Sequence, residues 1–138
     1  MQVDKGRTFI GRFQFKADIL LSIAEVCEKE NIRLATFTVI GALNGVKLGY
    51  YNQDAKKYID CVSLDKKLEI TSCTGNVSLK DSKLFVHAHI TLADHEGRCF
   101  GGHLMPDSSI FAAEYSITEF LGGELHRKPD PETGLSLW

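Results

Sequence analysis

His87 and His89 stand two residues apart in Val86-His87-Ala88-His89-Ile90, and His103 follows in Gly101-Gly102-His103-Leu104. Neutral imidazole is a common ligand for divalent first-row metals. Three imidazoles plus water form an open zinc arrangement with room for a substrate or a fourth ligand. Holding one ion requires that the three side chains leave a rigid scaffold on the same side. Alternation along a β-strand meets that need, because same-face neighbours lie roughly 7 Å apart. Leu84, Val86, Ala88, Ile90 and Leu92 then share an apolar face, while Phe85, His87, His89 and Thr91 share the other.

His103 joins them only in one register. With the three-residue loop His95-Glu96-Gly97 and Gly97 left-handed, Asp94 pairs with Arg98. His89 then faces His103 with Cβ atoms roughly 5 Å apart. A loop longer or shorter by one residue sends His103 to the apolar face. Gly101 and Gly102 let another backbone or a ligand approach closely. By ligand type the expected ion is Zn²⁺, with Ni²⁺, Cu²⁺ and Fe²⁺ also compatible. The competing reading is a solvated polar strand face with ordinary surface histidines. His95, at a loop tip, and His126, in the tail, read as surface residues.

Three acids with apolar neighbours, Glu69, Asp107 and Glu114, are candidates to orient a ligand or act as general base beside a metal-bound water. An ion pair or plain solvent exposure is their bland alternative. Gly41-x-x-x-Gly45 lacks the Gly-Lys-Ser/Thr ending of a phosphate loop. No Gly-x-Ser-x-Gly nucleophile elbow is present.

The elements that must position these residues are mostly strands. Thr8 to Phe15 reads as a first strand, with Gly11 as a bulge. Ala17 to Glu30 is the one clear helix: Ile19, Ile23 and Cys27 repeat at four-residue spacing, Asp18 lies in the first turn, and Asn31 can take the left-handed cap. Strands follow at Leu34 to Ile40, Val46 to Tyr51, Tyr58 to Leu64 and Lys67 to Cys73. Gly41 to Gly45 reads as a joint, and Thr74-Gly75-Asn76 as the end of a strand. Lys83 to Ala93 and Arg98 to Met105 form the clearest hairpin, and Ile110 to Leu121 reads as a bent strand. The tail from Gly122 to Trp138 carries turn chemistry at Lys128 to Gly134, then apolar Leu135-Ser136-Leu137-Trp138 that should dock back on the domain. The expectation is an α+β fold, residues 1–138 as one domain, with a largely antiparallel sheet, one main helix and a docked C-terminal tail.

Composition bounds the function classes. The 138 residues are 43% apolar and 25% charged, with net charge −2 and a pI near 6.2. Strong nucleic-acid binding usually shows a basic face, whereas Lys56-Lys57 and Lys66-Lys67 both have acids nearby. No apolar run approaches bilayer length, so no membrane association is expected. The N-terminus lacks the apolar core of a signal peptide. Cys27, Cys61, Cys73 and Cys99 form no C-x-x-C pair and read as thiols, mostly core filler, in a reducing, cytoplasmic setting.

Gly75-Asn76-Val77-Ser78, the two histidine motifs, Leu125-His126-Arg127, Val39-Ile40-Gly41-Ala42-Leu43 and Lys47-Leu48-Gly49-Tyr50 occur in one order along the chain. Together they resemble the plant and prokaryote conserved (PPC) domain over nearly its whole length, in the stand-alone prokaryotic form. The resemblance implies an α+β fold, a homotrimer, and a metal site at His87, His89 and His103. In plants the domain follows a DNA-binding AT-hook, and stand-alone members inherit a DNA-binding label. Here Lys5-Gly6-Arg7 runs into Thr8 without a Pro-Arg-Gly-Arg-Pro core, so DNA contact is expected to be weak or indirect. Trimerisation would cover sheet edges and the apolar stretch from Ile110 to Leu121. The expected role is a regulatory or ligand-binding module with a divalent metal, open to a small ligand. The alternative is a metal-dependent hydrolase or lyase acting on a small molecule.

Overall fold

The computed structural model describes residues 1–138, the side chains of Asp60 and Cys61 excepted. In chain order the elements are β1 (Asp4–Arg12), α1 (Ile19–Lys29), β2 (Ala35–Leu43), β3 (Val46–Asn52), β4 (Lys57–Leu64), β5 (Leu68–Lys80), β6 (Lys83–Ala93), β7 (Cys99–Leu104), β8 (Ile110–Leu121), β9 (His126–Pro129) and β10 (Ser136–Leu137). The main sheet runs β1-β8-β2-β5-β6-β7-β3-β4, and each pair along that path is antiparallel. β9 adds a parallel pairing to β5, and β10 pairs with β9. The fold is α+β with a largely antiparallel sheet, as the strand patterning predicts.

α1 covers one face of this sheet. Asp18 is its N-cap rather than a first-turn residue, with Oδ1 accepting from the Leu21 N–H at 2.9 Å. That bond satisfies one of the orphan amides at the helix start. Asn31 takes φ +57° just past the end, the left-handed exit that its short polar side chain tolerates. Ile19, Ile23 and Cys27 are fully buried against a core that includes Ile90 and Leu92 of β6. The helix therefore backs the apolar face of β6 and leaves the opposite face open. Among the described residues, no helix is long and apolar enough to cross a membrane.

Several boundaries differ from the sequence reading. β1 spans Asp4–Arg12, so Phe13 and Phe15 lie beyond it, and its register shift falls between Lys5 and Thr8 rather than at Gly11. Phe13 is instead buried by stacking on Tyr115 at 4.5 Å. Gly41 does not open a joint: β2 continues to Leu43, and Gly41 takes φ +133° with an ideal Cβ position 2.1 Å from the Ala112 carbonyl oxygen. Likewise Gly75 does not end β5. A Cβ there would fall 2.1 Å from the His87 carbonyl oxygen, so the glycine serves close strand approach. β5 ends instead at Asp81-Ser82, where φ is +51° and +62°. Positive φ at both loop residues suits the right-handed twist of a two-residue hairpin. The tail docks as expected, with Leu79 N–H donating to the Leu125 carbonyl at 2.9 Å.

Candidate metal centre

β6 follows the predicted alternation: Ala88, Ile90 and Leu92 are buried in the core, and His87 and His89 leave by the other face. The turn after it fixes the register of β7. Asp94 N–H donates to the Arg98 carbonyl at 3.1 Å, and Gly97 N–H to the Asp94 carbonyl at 2.9 Å. Asp94 Oδ1 also accepts from the Glu96 and Arg98 amides at 3.0 and 3.1 Å. Gly97 takes φ +77°, the left-handed conformation the three-residue loop demands. His89 consequently pairs with His103. Gly101 and Gly102 let β7 settle between its neighbours: a Cβ at Gly101 would be 2.3 Å from the Ile90 carbonyl oxygen, and one at Gly102 3.1 Å from that of Gly49.

The three rings converge. Centroids are 5.2 Å apart for His87–His89, 5.0 Å for His87–His103 and 5.4 Å for His89–His103. Each ring offers one nitrogen to the group, all within 4.8 Å of one another. Nitrogens bound tetrahedrally to one zinc ion stand about 3.3 Å apart, so small ring rotations suffice. His87 and His103 are half-buried and His89 is exposed. His87 Nε2 and His103 Nδ1 are buried without a hydrogen-bond partner. A buried polar atom left bare is costly, and a cation accepting an imidazole lone pair is one way to satisfy it.

The electrostatics favour the ligand form. Burial lowers the His87 pKa, with further contributions from Arg127 and His89. Burial, followed by His87 and His89, lowers that of His103 to about 4. Both imidazoles are therefore neutral at pH 7 and able to donate a lone pair. A divalent ion held by these rings would act as a Lewis acid on a ligand oxygen.

The candidate acids are elsewhere. Glu69 pairs with Ala93 at the loop end of β6 and lines a separate cavity with His95 and Phe111. Glu114 lines a cavity with Ile10 and Ile40. Asp107 forms an ion pair with Lys47 at 2.6 Å. Among the described residues, no carboxylate joins the histidine cluster. His95 and His126 are exposed, as expected, beside Glu96 and Glu124.

Sequence reasoning assigned no role to Tyr58, nor to Arg127 beyond its place in the Leu125-His126-Arg127 motif. Tyr58 of β4 packs its ring 4.6 Å from that of His103. Arg127 enters from β9, is buried, and sends Nε to Ser78 Oγ at 2.9 Å and Nη2 to Asn76 Oδ1 at 2.8 Å. The available signal was the apolar end of the tail, which had to dock somewhere and brought Arg127 with it.

Solved structures share this arrangement of strands. A metal-containing protein from Archaeoglobus fulgidus superposes with a TM-score of 0.94 at 37% identity, covering 99% of this chain and 96% of that one. A plant- and prokaryote-conserved protein from Pyrococcus horikoshii gives a TM-score of 0.94 at 39% identity, covering 99% and 94%. Among curated proteins, a bifunctional protein GlmU from Synechococcus is 38% identical over 72 residues, 51% of this chain, and the match spans only 11% of that protein's length. The model of the Plants and Prokaryotes Conserved (PCC) domain matches residues 1–121, and the chain belongs to that family.

Proposed function

We propose that the protein is a homotrimeric module that binds a divalent metal ion, zinc by ligand type, through His87, His89 and His103, and that it works by ligand binding or regulation in the cytoplasm. The observation that carries this reading is the convergence of three imidazoles with two buried nitrogens left bare. The metal named for the Archaeoglobus relative adds support. The absence of a carboxylate from the cluster, among the described residues, weighs against the hydrolase or lyase alternative.

Trimerisation draws support from the opposite end of the sheet. β1 is an edge strand whose Ile10 is 81% exposed, and Ile40 of β2, beyond β8, is 57% exposed in the same cavity wall. An edge carrying exposed apolar residues is a surface that proteins normally cover.

Elemental analysis of tag-free protein tests the metal, beside a variant with His87→Ala, His89→Ala and His103→Ala. About one ion per chain, lost in the folded variant, is the expected result. An ion retained by the variant, or none taken up by the wild type after incubation with zinc, would refute the assignment. Native mass spectrometry reports the assembly: a monomer at micromolar concentration would refute the trimer.

A further inference from the structure

A cavity of about 270 Å³ opens over His87 and His103. Its wall carries four cationic side chains, Lys56, Lys57, Lys80 and Arg127, and among the described residues no acid lines it. Tyr51, Tyr58, Phe85 and the tail segment 134–137 complete the enclosure.

Arg127 is the telling member. It is only 8% exposed, and its guanidinium meets neutral acceptors: Ser78 Oγ at 2.9 Å, Asn76 Oδ1 at 2.8 Å and the Ser136 carbonyl at 3.0 Å. Its charge lies against two aromatic faces, Phe85 at 4.9 Å and Trp138 at 4.4 Å. Guanidinium has five N–H donors, and these three bonds leave two. A buried cation usually has a counter-charge, because desolvating it is expensive. Lys80 reinforces the imbalance, with Nζ 5.6 Å from the Phe85 centroid, whereas Lys56, which donates to the Pro131 carbonyl at 3.0 Å, has the Asp130 carboxylate nearby and adds less to it.

We infer that this cavity is the seat of a small oxyanion, a carboxylate or phosphate carried on a metabolite-sized molecule, placed between the histidine cluster and the cationic wall of Arg127, Lys80 and Lys57. Planar N–H forks and ammonium groups recognise these oxyanions through charge-assisted hydrogen bonds. The volume admits a small molecule, which excludes a nucleic-acid strand from the cavity itself. The cationic wall exists whether or not an ion occupies the histidines; only the ion's share of the attraction rests on the metal reading.

The test is isothermal titration of the trimer with two probes, inorganic phosphate and malate, each on zinc-loaded and zinc-stripped protein. Zinc content is measured on the same samples. The expected result is saturable binding of at least one probe, weakened at least fivefold in Lys57→Gln/Lys80→Gln. That variant removes two charges at the cavity mouth without touching the histidines. Phosphate binding alone identifies a phosphorylated ligand class; malate binding alone identifies a carboxylate. An Arg127→Met variant that keeps the wild-type melting curve should lose binding further. If neither probe binds protein carrying one zinc per chain, the inference fails and the metal assignment stands. If a probe binds but no zinc is ever held, the metal reading fails and the anion site stands. Equal binding by wild type and Lys57→Gln/Lys80→Gln would also overturn the inference.

Discussion

With no ion at the proposed site, the protein should show a pH-dependent weakness that belongs to His103. Burial, with His87 and His89 nearby, lowers this ring's pKa from the ordinary 6.5 to about 4 in the folded chain. Between those values the unfolded chain carries a proton that the folded chain refuses. Stability therefore rises with pH across the window. The contribution is complete above about pH 6.5, is lost as pH falls toward 4, and changes no further below that. At 1.36 kcal/mol per pH unit the gap sets a ceiling of about 3.4 kcal/mol. The ring is half-buried rather than sealed, and solvent screening reduces the expected loss to about 2 kcal/mol.

Urea denaturation of zinc-free protein at fixed concentration, from pH 7 down to 4.5, measures this loss. Carboxylates contribute in the lower part of the same range, so the comparison is with His103→Gln, which keeps a polar side chain of similar reach but has nothing to titrate. The wild type should lose about 2 kcal/mol more than the variant over the window. Parallel curves for the two proteins would refute the reasoning, because they would show that His103 accepts a proton as readily in the folded chain as in the unfolded one. A proton NMR titration of the ring should place its midpoint well below 6.

Other expectations follow from contacts around the site and the helix. Gly75→Ala puts a methyl group against the His87 carbonyl and 2.4 Å from Phe37 Cζ, which should cost about 3 kcal/mol as overpacking, lower the melting temperature by about 10 °C and weaken zinc uptake by shifting His87. Asp18→Ala removes acceptors for the Leu21 amide at 2.9 Å and the Ser108 amide at 3.0 Å, and urea denaturation should show a loss of about 1–2 kcal/mol. The Arg7 side chain, bonded to Glu119 at 2.8 Å, holds that carboxyl below its ordinary range near 4.5. Its contribution is full above that range and lost as pH falls below it, so Glu119→Gln should flatten the acid-unfolding curve of the wild type there.

How much of this was legible depends on what each feature is made of. The β6–β7 hairpin was legible down to one condition: strand parity fixes the face of His87 and His89, while that of His103 hung on a three-residue loop, which the structure has. The helix could be read for the same reason, from Ile19, Ile23 and Cys27. Glycines were harder. Gly41 and Gly75 look alike in sequence to turn residues, yet both lie inside strands where a neighbouring carbonyl leaves no space for a Cβ. Only tertiary packing distinguishes these uses. Arg127 stood in a quoted motif without a role for a related reason: its meaning comes from Asn76 and Ser78, about fifty positions earlier, and from where the tail lands.

The sheet's architecture also explains why chemistry should gather at this spot. β6 lies near the middle of the path and is backed by α1, so its outward face is held by a rigid element whose other face is core. β7, six residues long, joins β6 to β3, and its pairing with β3 rests on Leu104 with Leu48 and His103 with Gly49. The strand that supplies the third histidine is thus also the link between the two ends of the sheet. An ion shared by β6 and β7 would brace that link, and a ligand drawn onto the ion would press against the tail that carries Arg127. If the proposed site is occupied, ion binding should therefore stabilise the folded chain in part through this link, which hydrogen exchange in β7 with and without zinc would measure.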